Sequence, residues 1–247
     1  MKQFGLIGFP LSHSFSKKYF SEKFEKEGIQ DCDYELFEIE KIEGLPELLN
    51  RLSPELQGLN VTIPHKQVVI PFMNEMDPVA SKIGAVNVIK VLDDGSLKGY
   101  NSDYYGFLNS LKGFVDVQLS GLKALVLGTG GASKAVLAAL EDSSVEYQLV
   151  SRNRKAGQLA YEDLTEEMVR GHKLIINTTP LGMYPNVDAA PAIPYQAIGS
   201  QHYLFDLVYN PEETLFMKKG RENGAKALHG LEMLIGQAEK AWEIWNS

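Results

Sequence analysis

The chain has 247 residues, 44% of them hydrophobic and 23% charged, which suits a globular protein of one large or two modest domains. Its formal net charge of −8 argues against a nucleic-acid-binding protein, which usually carries a basic face. The single cysteine, Cys32, excludes an intramolecular disulfide and a cysteine-based zinc cluster, and favours a reducing, cytoplasmic compartment. No run of about 18 apolar residues occurs, so we expect no membrane span.

The first part of the chain alternates short apolar runs with amphipathic segments. "FGLIGF" predicts a buried strand that ends at Pro10, and residues 16–26 predict a helix with Phe20 and Phe24 on one face. "DYELFEI" predicts a second strand, "IEGLPELLNRL" a helix and "LQGLNVTI" a third strand. Two further strands are expected in "VNVIKVLDDGSLKGY", joined by a hairpin turn at Asp94-Gly95.

The second part of the chain has a different sequence pattern. "KALVLGTGGASKAVLAAL" reads as a continuous apolar strand, a glycine turn and an alanine-rich helix, and "EYQLVSR", "HKLIINTTP" and "HYLFDLVY" predict further strands. Strands that alternate with helices indicate a parallel sheet with helices on both faces. The last segment, "GLEMLIGQAEKAWEIW", predicts an amphipathic helix whose packing partner the sequence does not identify.

The glycine turn, "VLGTGGAS", has the pattern of a nucleotide-binding loop. Glycines at 128, 130 and 131 let the backbone approach a pyrophosphate, and the following helix offers its amino-terminal donors. Ser133 stands where a third glycine is usual, so the pattern is imperfect. The preceding strand and the following helix strengthen this interpretation.

The next strand ends in a basic segment, Ser151 to Lys155, with three cations and no carboxylate. A site for NAD usually places an acid there for the ribose hydroxyls, whereas a cation favours the 2′-phosphate of NADP. Arg152 is the preferred phosphate ligand because a guanidinium offers a planar fork to phosphate oxygens. The alternative is a solvent-exposed basic turn.

Short polar clusters follow several predicted strands: "SHSFS", "NVT", "GAVN" and "YNSD". Together their hydroxyl and amide groups suit a small polyhydroxylated ligand. Each also has a simpler structural interpretation. Ser14 or Ser16 fits a helix cap, Asn101 and Asp103 fit turn residues, and Thr62 fits an ordinary strand position.

Eight segments, in this order, resemble the shikimate dehydrogenase family over essentially the whole chain: "GFPLSHSFS", "LNVTIPHK", "GAVNV", "GYNSDYYGF", "VLGTGGASKAV", "INTTPLGM", "FDLVYNP" and "HGLEMLIGQAEKAW". The resemblance implies NADP-linked reduction of 3-dehydroshikimate to shikimate, in the chorismate route to aromatic amino acids. It implies an α/β fold, with an N-terminal substrate domain (1–101, joined by a returning terminal helix, 230–247) and a Rossmann-type doubly wound NADP-binding domain (102–229).

The resemblance also assigns roles to individual residues. The matched catalytic pair is Lys66 and Asp103. The matched substrate-binding residues are Ser14, Ser16, Asn60, Thr62, Asn87, Tyr209 and Gln237. The matched cofactor-binding residues are Gly128, Thr129, Gly130, Gly131, Ala132, Ser151, Arg152, Thr178, Met183 and Gly230.

This chain departs from the family pattern at four positions. Lys17 replaces a proline, Val88 and Ser102 replace threonines, and Ser151 replaces an asparagine beside the adenine-side contacts. On the last helix Gly230, Met233 and Gln237 share one face. On that face, Gly230 would let a flat ring approach. The alternative is that Gly230 only begins the helix and that Gln237 is exposed to solvent.

Other functions remain open at this stage. One is a quinate/shikimate dehydrogenase using NAD or both cofactors, and another is a non-catalytic NADP-binding regulator. Lys66 could donate and accept the proton, or it could only anchor the substrate. The sequence also leaves open whether Lys66 or Asp103 is the formal general acid or base. The five histidines show no ligand spacing, so we expect no metal, although His13 and His65 are expected near the pocket. Partners other than the small-molecule substrate are not indicated, and the chain is expected to be a monomer or homodimer.

Overall fold

A computed structural model describes residues 1–11 and 14–247. The chain folds into two compact units, Met1–Ser102 with Ala238–Ser247, and Asp103–Gln237. Each unit has its own sheet. In the described part of the chain no helix combines the length and apolar character needed to cross a bilayer.

The first unit is built on a mixed sheet in the order β2-β1-β3-β5-β6-β4. Its strands are β1 (Lys2–Gly8), β2 (Cys32–Glu38), β3 (Leu56–Val61), β4 (Glu75–Met76), β5 (Val88–Val91) and β6 (Leu97–Tyr100). Its helices are α1 (Phe15–Glu27), α2 (Leu45–Leu52) and α3 (Pro78–Ile83). β1, β2 and β3 are parallel, and β5 runs antiparallel to both β3 and β6.

The predicted hairpin is confirmed between β5 and β6. Its turn closes with a hydrogen bond from the Leu92 nitrogen to the Ser96 carbonyl, 2.8 Å. Gly95 adopts a φ of 81°, a left-handed conformation that glycine adopts without steric cost. The structure differs from the prediction for β3, which ends at Val61, so Thr62 follows the strand instead of belonging to it.

The second unit has a fully parallel sheet in the order β11-β10-β9-β7-β8, as the alternating pattern predicts. Its strands are β7 (Lys123–Leu127), β8 (Glu146–Val150), β9 (Leu174–Asn177), β10 (Tyr203–Asp206) and β11 (Lys226–Leu228). The helices of this part of the chain are α4 (Ser102–Phe114), α5 (Gly131–Asp142), α6 (Glu166–Gly171), α7 (Leu215–Glu222) and α8 (Leu231–Asn246). Apart from their end residues, β7, β9 and β10 are apolar and buried, as expected for central parallel strands.

The end of α8 packs into the core of the first unit, so the terminal helix returns to that unit. Trp245 contacts Phe4 and Phe20, with ring centroids 4.9 Å and 5.5 Å apart. Its indole nitrogen donates to the Ile89 carbonyl at 3.0 Å. A Cβ on Gly58 would lie 2.2 Å from that nitrogen, so β3 needs a glycine here to admit the indole.

Candidate active site

The candidate residues of the first unit collect at one edge of its sheet. β1 and β3 are parallel, so the segments after Gly8 and Val61 emerge at the same edge. β5 pairs antiparallel with β3 and β6 antiparallel with β5, which brings the start of β5 and the end of β6 to that edge too. The residues placed there are Ser14, Ser16, Asn60, Thr62, Lys66, Asn87 and Ser102.

The two candidate serines lie at the amino end of α1. Ser14 is the N-cap of the helix, and its hydroxyl oxygen accepts from the Ser16 nitrogen at 3.2 Å. The helix-cap interpretation of Ser14 is therefore confirmed, and it is compatible with ligand binding because the capping oxygen keeps its own hydrogen as a donor. The amino end of a 13-residue helix also carries partial positive charge, which favours an anion.

The segment before these serines is held by a carboxylate at the end of β2. Glu38 accepts from the Leu11 nitrogen at 2.6 Å. His13, predicted to lie near the pocket, falls outside the described residues.

Lys66 follows β3 on a short segment that is held by neighbouring parts of the first unit. Its side chain is half-buried, and its carbonyl accepts from the Val86 nitrogen at 2.7 Å. The preceding His65 is 2% exposed, and its Nε2 lies 2.6 Å from the Ile39 carbonyl, so that nitrogen carries the hydrogen. The lysine is thus attached to a segment fixed on both sides.

Asn87 and Ser102 form a reciprocal pair that fixes both side chains. The Ser102 nitrogen donates to Asn87 Oδ1 at 2.6 Å, and Asn87 Nδ2 donates to the Ser102 hydroxyl at 3.1 Å. Both residues are buried, so the amide orientation of Asn87 is set by the start of α4. Asn101 is not a turn residue, because its side chain is buried and donates to the Ala85 carbonyl at 3.0 Å.

Asp103 is the second residue of α4 and is 6% exposed, so the turn interpretation is wrong for this residue as well. One turn later, a Cβ on Gly106 would lie 2.5 Å from the Met233 carbonyl and 2.9 Å from the Gln237 nitrogen. Residues 103 and 106 share a face of α4. The close crossing therefore brings Gln237 of α8 to the same helix seam as Asp103, within the second unit.

The predicted nucleotide loop lies between β7 and α5. Gly128 has a φ of 106°, and a Cβ there would lie 2.8 Å from the side chains of Thr178 and Thr179. At Gly130 and Gly131, where α5 begins, an added Cβ would have no atom within 4 Å. This open space over a helix amino terminus fits a pyrophosphate. Ser133 replaces the usual glycine without disturbing the loop, because its hydroxyl donates to the Gly130 carbonyl at 2.6 Å.

The three cations after β8 have different surroundings. Arg154 forms an ion pair with Asp163 at 2.7 Å, and Asp163 also accepts from the Ala160 nitrogen. Arg152 is exposed and takes part in no ion pair among the residues that the structure describes. Ser151 is buried, with its hydroxyl 3.4 Å from that of Thr129 in the glycine turn. Lys155 is likewise exposed and outside any ion pair of the described residues, so both it and Arg152 can pair with an added phosphate without breaking an existing ion pair. Arg152 is preferred between the two because a guanidinium offers a planar fork to phosphate oxygens.

The remaining cofactor and substrate candidates of the second unit follow β9 and β10 or precede α8. Thr178 donates to the carbonyls of Leu127 and Gly128, while Met183 and Tyr209 are exposed. A Cβ on Gly230 would lie 2.3 Å from the Leu207 carbonyl oxygen. Close backbone packing therefore requires a glycine here, and the approach of a flat ring stays a prediction.

A buried polar network, which the sequence analysis missed, joins the segments that follow β9 and β10. Asp206 is fully buried and accepts from Asn177 Nδ2 at 2.9 Å, the Val208 nitrogen at 3.0 Å and the Thr214 hydroxyl at 2.6 Å. Asn177 Oδ1 in turn accepts from the nitrogen and the hydroxyl of Thr179. Burial raises the pKa of Asp206 to about 6, although these three donors act in the opposite direction.

Asp206 is expected to make stability depend on pH. Its folded pKa of about 6 lies above its ordinary value of 3.8, so between these values the folded state holds a proton that the unfolded state has released. The free energy of unfolding should therefore fall as pH rises from about 4 to about 6, by about 3 kcal/mol at most. Urea unfolding of wild type and Asp206→Asn across this range should show that wild type loses stability relative to the variant.

A control for this experiment is Asp116→Asn. Asp116 has a lowered pKa because Lys226 and Tyr203 donate to it, so its contribution changes only below its ordinary value of 3.8. The wild type and this variant should differ by a constant amount from about pH 4 to 6. A constant difference for Asp206→Asn as well would show that Asp206 does not titrate in that window.

Comparison with known proteins gives concordant results. A family model described as the shikimate dehydrogenase substrate binding domain matches residues 6–89. A shikimate dehydrogenase (NADP(+)) of Clostridium beijerinckii is 43% identical over 256 residues, covering 99% of this chain and 92% of that protein.

Two solved structures illustrate the likeness in three dimensions. A chorismate mutase/shikimate 5-dehydrogenase fusion protein from Clostridium acetobutylicum has a TM-score of 0.89 at 39% identity, covering 100% of this chain and 91% of that one. The shikimate 5-dehydrogenase of Thermus thermophilus, in complex with NADP(H) and shikimate, has a TM-score of 0.86 at 31% identity, covering 99% of this chain and 93% of that one.

Proposed function

Because the chain belongs to the shikimate dehydrogenase family and catalyses the NADP-dependent interconversion of 3-dehydroshikimate and shikimate, we propose that Lys66 and Asp103 carry its proton transfer. The observation that supports this most directly is the gathering of Lys66 with serine, threonine and asparagine side chains at one edge of the first sheet. A half-buried lysine among such groups suits a substrate with several hydroxyls.

The proton and the hydride leave the substrate by separate routes. In the oxidising direction, the carbon that bears the reacting hydroxyl loses hydride, and the hydroxyl loses its proton as the carbonyl forms. NADP held by the second unit would supply the nicotinamide that takes up this hydride. Lys66, as a neutral amine, accepts the proton, and in the reducing direction its ammonium returns a proton to the forming alkoxide. The ammonium also stabilises the negative charge that develops on that oxygen.

Asp103 is proposed to share this proton transfer. Its carboxylate favours the charged form of a nearby amine and offers a second acceptor for the hydroxyl proton.

The other proposed substrate-binding residues are assigned to parts of the substrate by the chemistry of their side chains. Ser14 and Ser16, at the amino end of α1, are assigned to the substrate carboxylate because two hydroxyl donors and a helix terminus all favour an anion. Asn60, Thr62 and Asn87 are assigned to ring hydroxyls. On the second unit, Tyr209 and Gln237 complete the proposed substrate contacts.

NADP is assigned to the second unit. The backbone from Gly128 to Ala132 would hold the pyrophosphate, with Thr129 beside Ser151, and Arg152 would hold the 2′-phosphate. Thr178, Met183 and Gly230 are assigned to the nicotinamide side. By function, we propose residues 1–101 and 230–247 as the substrate domain and 102–229 as the NADP domain, whereas the two compact units divide after Ser102 and, within α8, after Gln237. We also propose a cytoplasmic location, which the single cysteine supports because disulfides are rare in that compartment. For the oligomeric state we propose a monomer or homodimer.

The test of the substrate and cofactor assignment is a comparison of four pairings. Purified protein is mixed with shikimate or quinate, each with NADP or NAD, and the absorbance of the reduced nicotinamide is followed. We expect shikimate with NADP to give the highest kcat/KM, by about ten-fold or more, because the 2′-phosphate gains a charge-assisted contact. Equal rates with quinate or with NAD would show a broader enzyme, and binding of NADP without turnover would show a regulator.

A further inference from the structure

The side chain of Tyr34 contacts Asn60, a residue assigned to the substrate. It projects from β2 and is 1% exposed, with its ring stacked on that of Phe20 at a centroid distance of 4.5 Å and an interplanar angle of 17°. Trp245 packs against the same ring at 6.3 Å. A tyrosine packed in this way has little rotational freedom, so its hydroxyl oxygen has a fixed position.

The hydroxyl of Tyr34 holds a residue that is assigned to the ring hydroxyls of the substrate. It donates to Asn60 Oδ1 at 2.7 Å. Burial raises the pKa of Tyr34, so the phenol keeps its proton and remains a donor to Asn60.

The contact with Tyr34 determines what Asn60 can offer a ligand. An asparagine amide has one oxygen and two N–H donors. With the oxygen engaged by Tyr34, the nitrogen faces the Asn87 carbonyl, 3.4 Å away, and retains a second N–H. Asn60 is therefore preset to donate to a substrate oxygen. Without the tyrosine hydroxyl, the amide could rotate and present its oxygen instead.

We propose that Tyr34 is a positioning residue for the substrate, which holds Asn60 in place and sets the donor orientation of its amide. This inference rests on the proposed assignment of Asn60 to the substrate. It concerns binding and not the proton or hydride step, since the tyrosine reaches the substrate only through Asn60.

The test is Tyr34→Phe, which removes the hydroxyl and keeps the stacked ring. We expect the KM for shikimate to rise about 5- to 20-fold, the effect of one lost hydrogen bond and one amide left free to rotate. Both kcat and the KM for NADP should stay within about two-fold of wild type. A structural defect would instead change all three parameters together.

The matched control is Tyr19→Phe. Tyr19 lies on α1 in the same unit and donates to Glu239, which is assigned no role in the reaction. This variant also loses one tyrosine hydroxyl from a packed aromatic ring, and all three kinetic parameters should stay within about two-fold of wild type. Equal increases in the shikimate KM for both tyrosine variants would show a general packing effect and overturn the proposal.

Ser16→Ala, Asn60→Ala and the double variant Tyr34→Phe/Asn60→Ala separate the remaining outcomes. If Tyr34 acts through Asn60, the two changes should be non-additive, and the double variant should raise the shikimate KM little more than Asn60→Ala alone. If both alanine variants raise the KM but Tyr34→Phe does not, the proposal for Tyr34 fails and the site assignment stands. If neither alanine variant changes the KM, the site assignment fails and the proposal fails with it.

Discussion

Replacing Lys66 by methionine is expected to lower kcat by about 10²- to 10⁴-fold, the usual contribution of general acid–base transfer. Methionine keeps an unbranched side chain of similar length but offers neither a transferable proton nor a positive charge. The KM for shikimate should remain close to wild type, because the proposed hydroxyl and amide contacts are intact. Steady-state rates with shikimate and NADP, compared with the wild type, measure both parameters.

The control for this variant is Lys98→Met. Lys98 is a half-buried lysine of β6 in the same unit, with its amine 3.0 Å from Glu75, and it is assigned no part in the reaction. Loss of its cation should leave kcat within about two-fold of wild type. If Lys66→Met instead preserves kcat and raises the shikimate KM strongly, Lys66 is a substrate anchor and not the proton donor.

Replacing Arg152 by alanine is expected to raise the KM for NADP by about 10- to 100-fold, as expected for loss of a charge-assisted contact to phosphate. The KM for NAD, which has no 2′-phosphate, should change by about three-fold or less. The ratio of the two KM values therefore reports the phosphate contact separately from any general damage to the second unit. Initial rates with shikimate and varied cofactor measure both values.

Arg154→Ala is the matched control for Arg152. It removes the same guanidinium two residues away, but Arg154 is already paired with Asp163. We expect some loss of stability and little change in the ratio of NADP to NAD affinity. Equal effects of Arg152→Ala on the two cofactors would remove Arg152 from the phosphate site.

The elements predicted best are those with a clear local pattern. The glycine turn between β7 and α5 and the hairpin at Asp94-Gly95 each depend on residues close together in sequence. The parallel second sheet joins distant strands, but each of its strands has a local apolar pattern and their alternation with helices indicates parallel pairing. Very short strands such as β4 and β11, with two and three residues, have no readable period, and the sequence analysis missed them. The helix α4 is also absent from the predicted elements, because its start follows β6 directly and resembles a turn.

The parts of the site that could not be predicted are contacts between distant residues. Tyr34 meets Asn60 across 26 positions, and Asn177 meets Asp206 across 29. Hydrophobic periodicity indicates which face of an element is buried, but not which polar groups on different elements will meet. The resemblance to a family supplied residue roles, whereas these supporting hydrogen bonds required coordinates.

The basic segment after β8 shows the same limitation at short range. Its sequence presents three cations as equivalent, and Arg152 was preferred by analogy and by the shape of its side chain. The ion pair between Arg154 and Asp163 depends on the path of the chain after the strand. Only that path distinguishes a cation engaged with a neighbouring carboxylate from one that can meet a phosphate.

The central claim is that Lys66 and Asp103 act as a unit on one proton, and a double-mutant cycle in kcat tests it most directly. The variants are Lys66→Met, Asp103→Asn and the combination, each assayed with saturating shikimate and NADP. Residues that act together are strongly non-additive, so the double variant should be within about three-fold of the slower single variant. Losses in kcat that multiply would contradict the account, because they would show two independent roles.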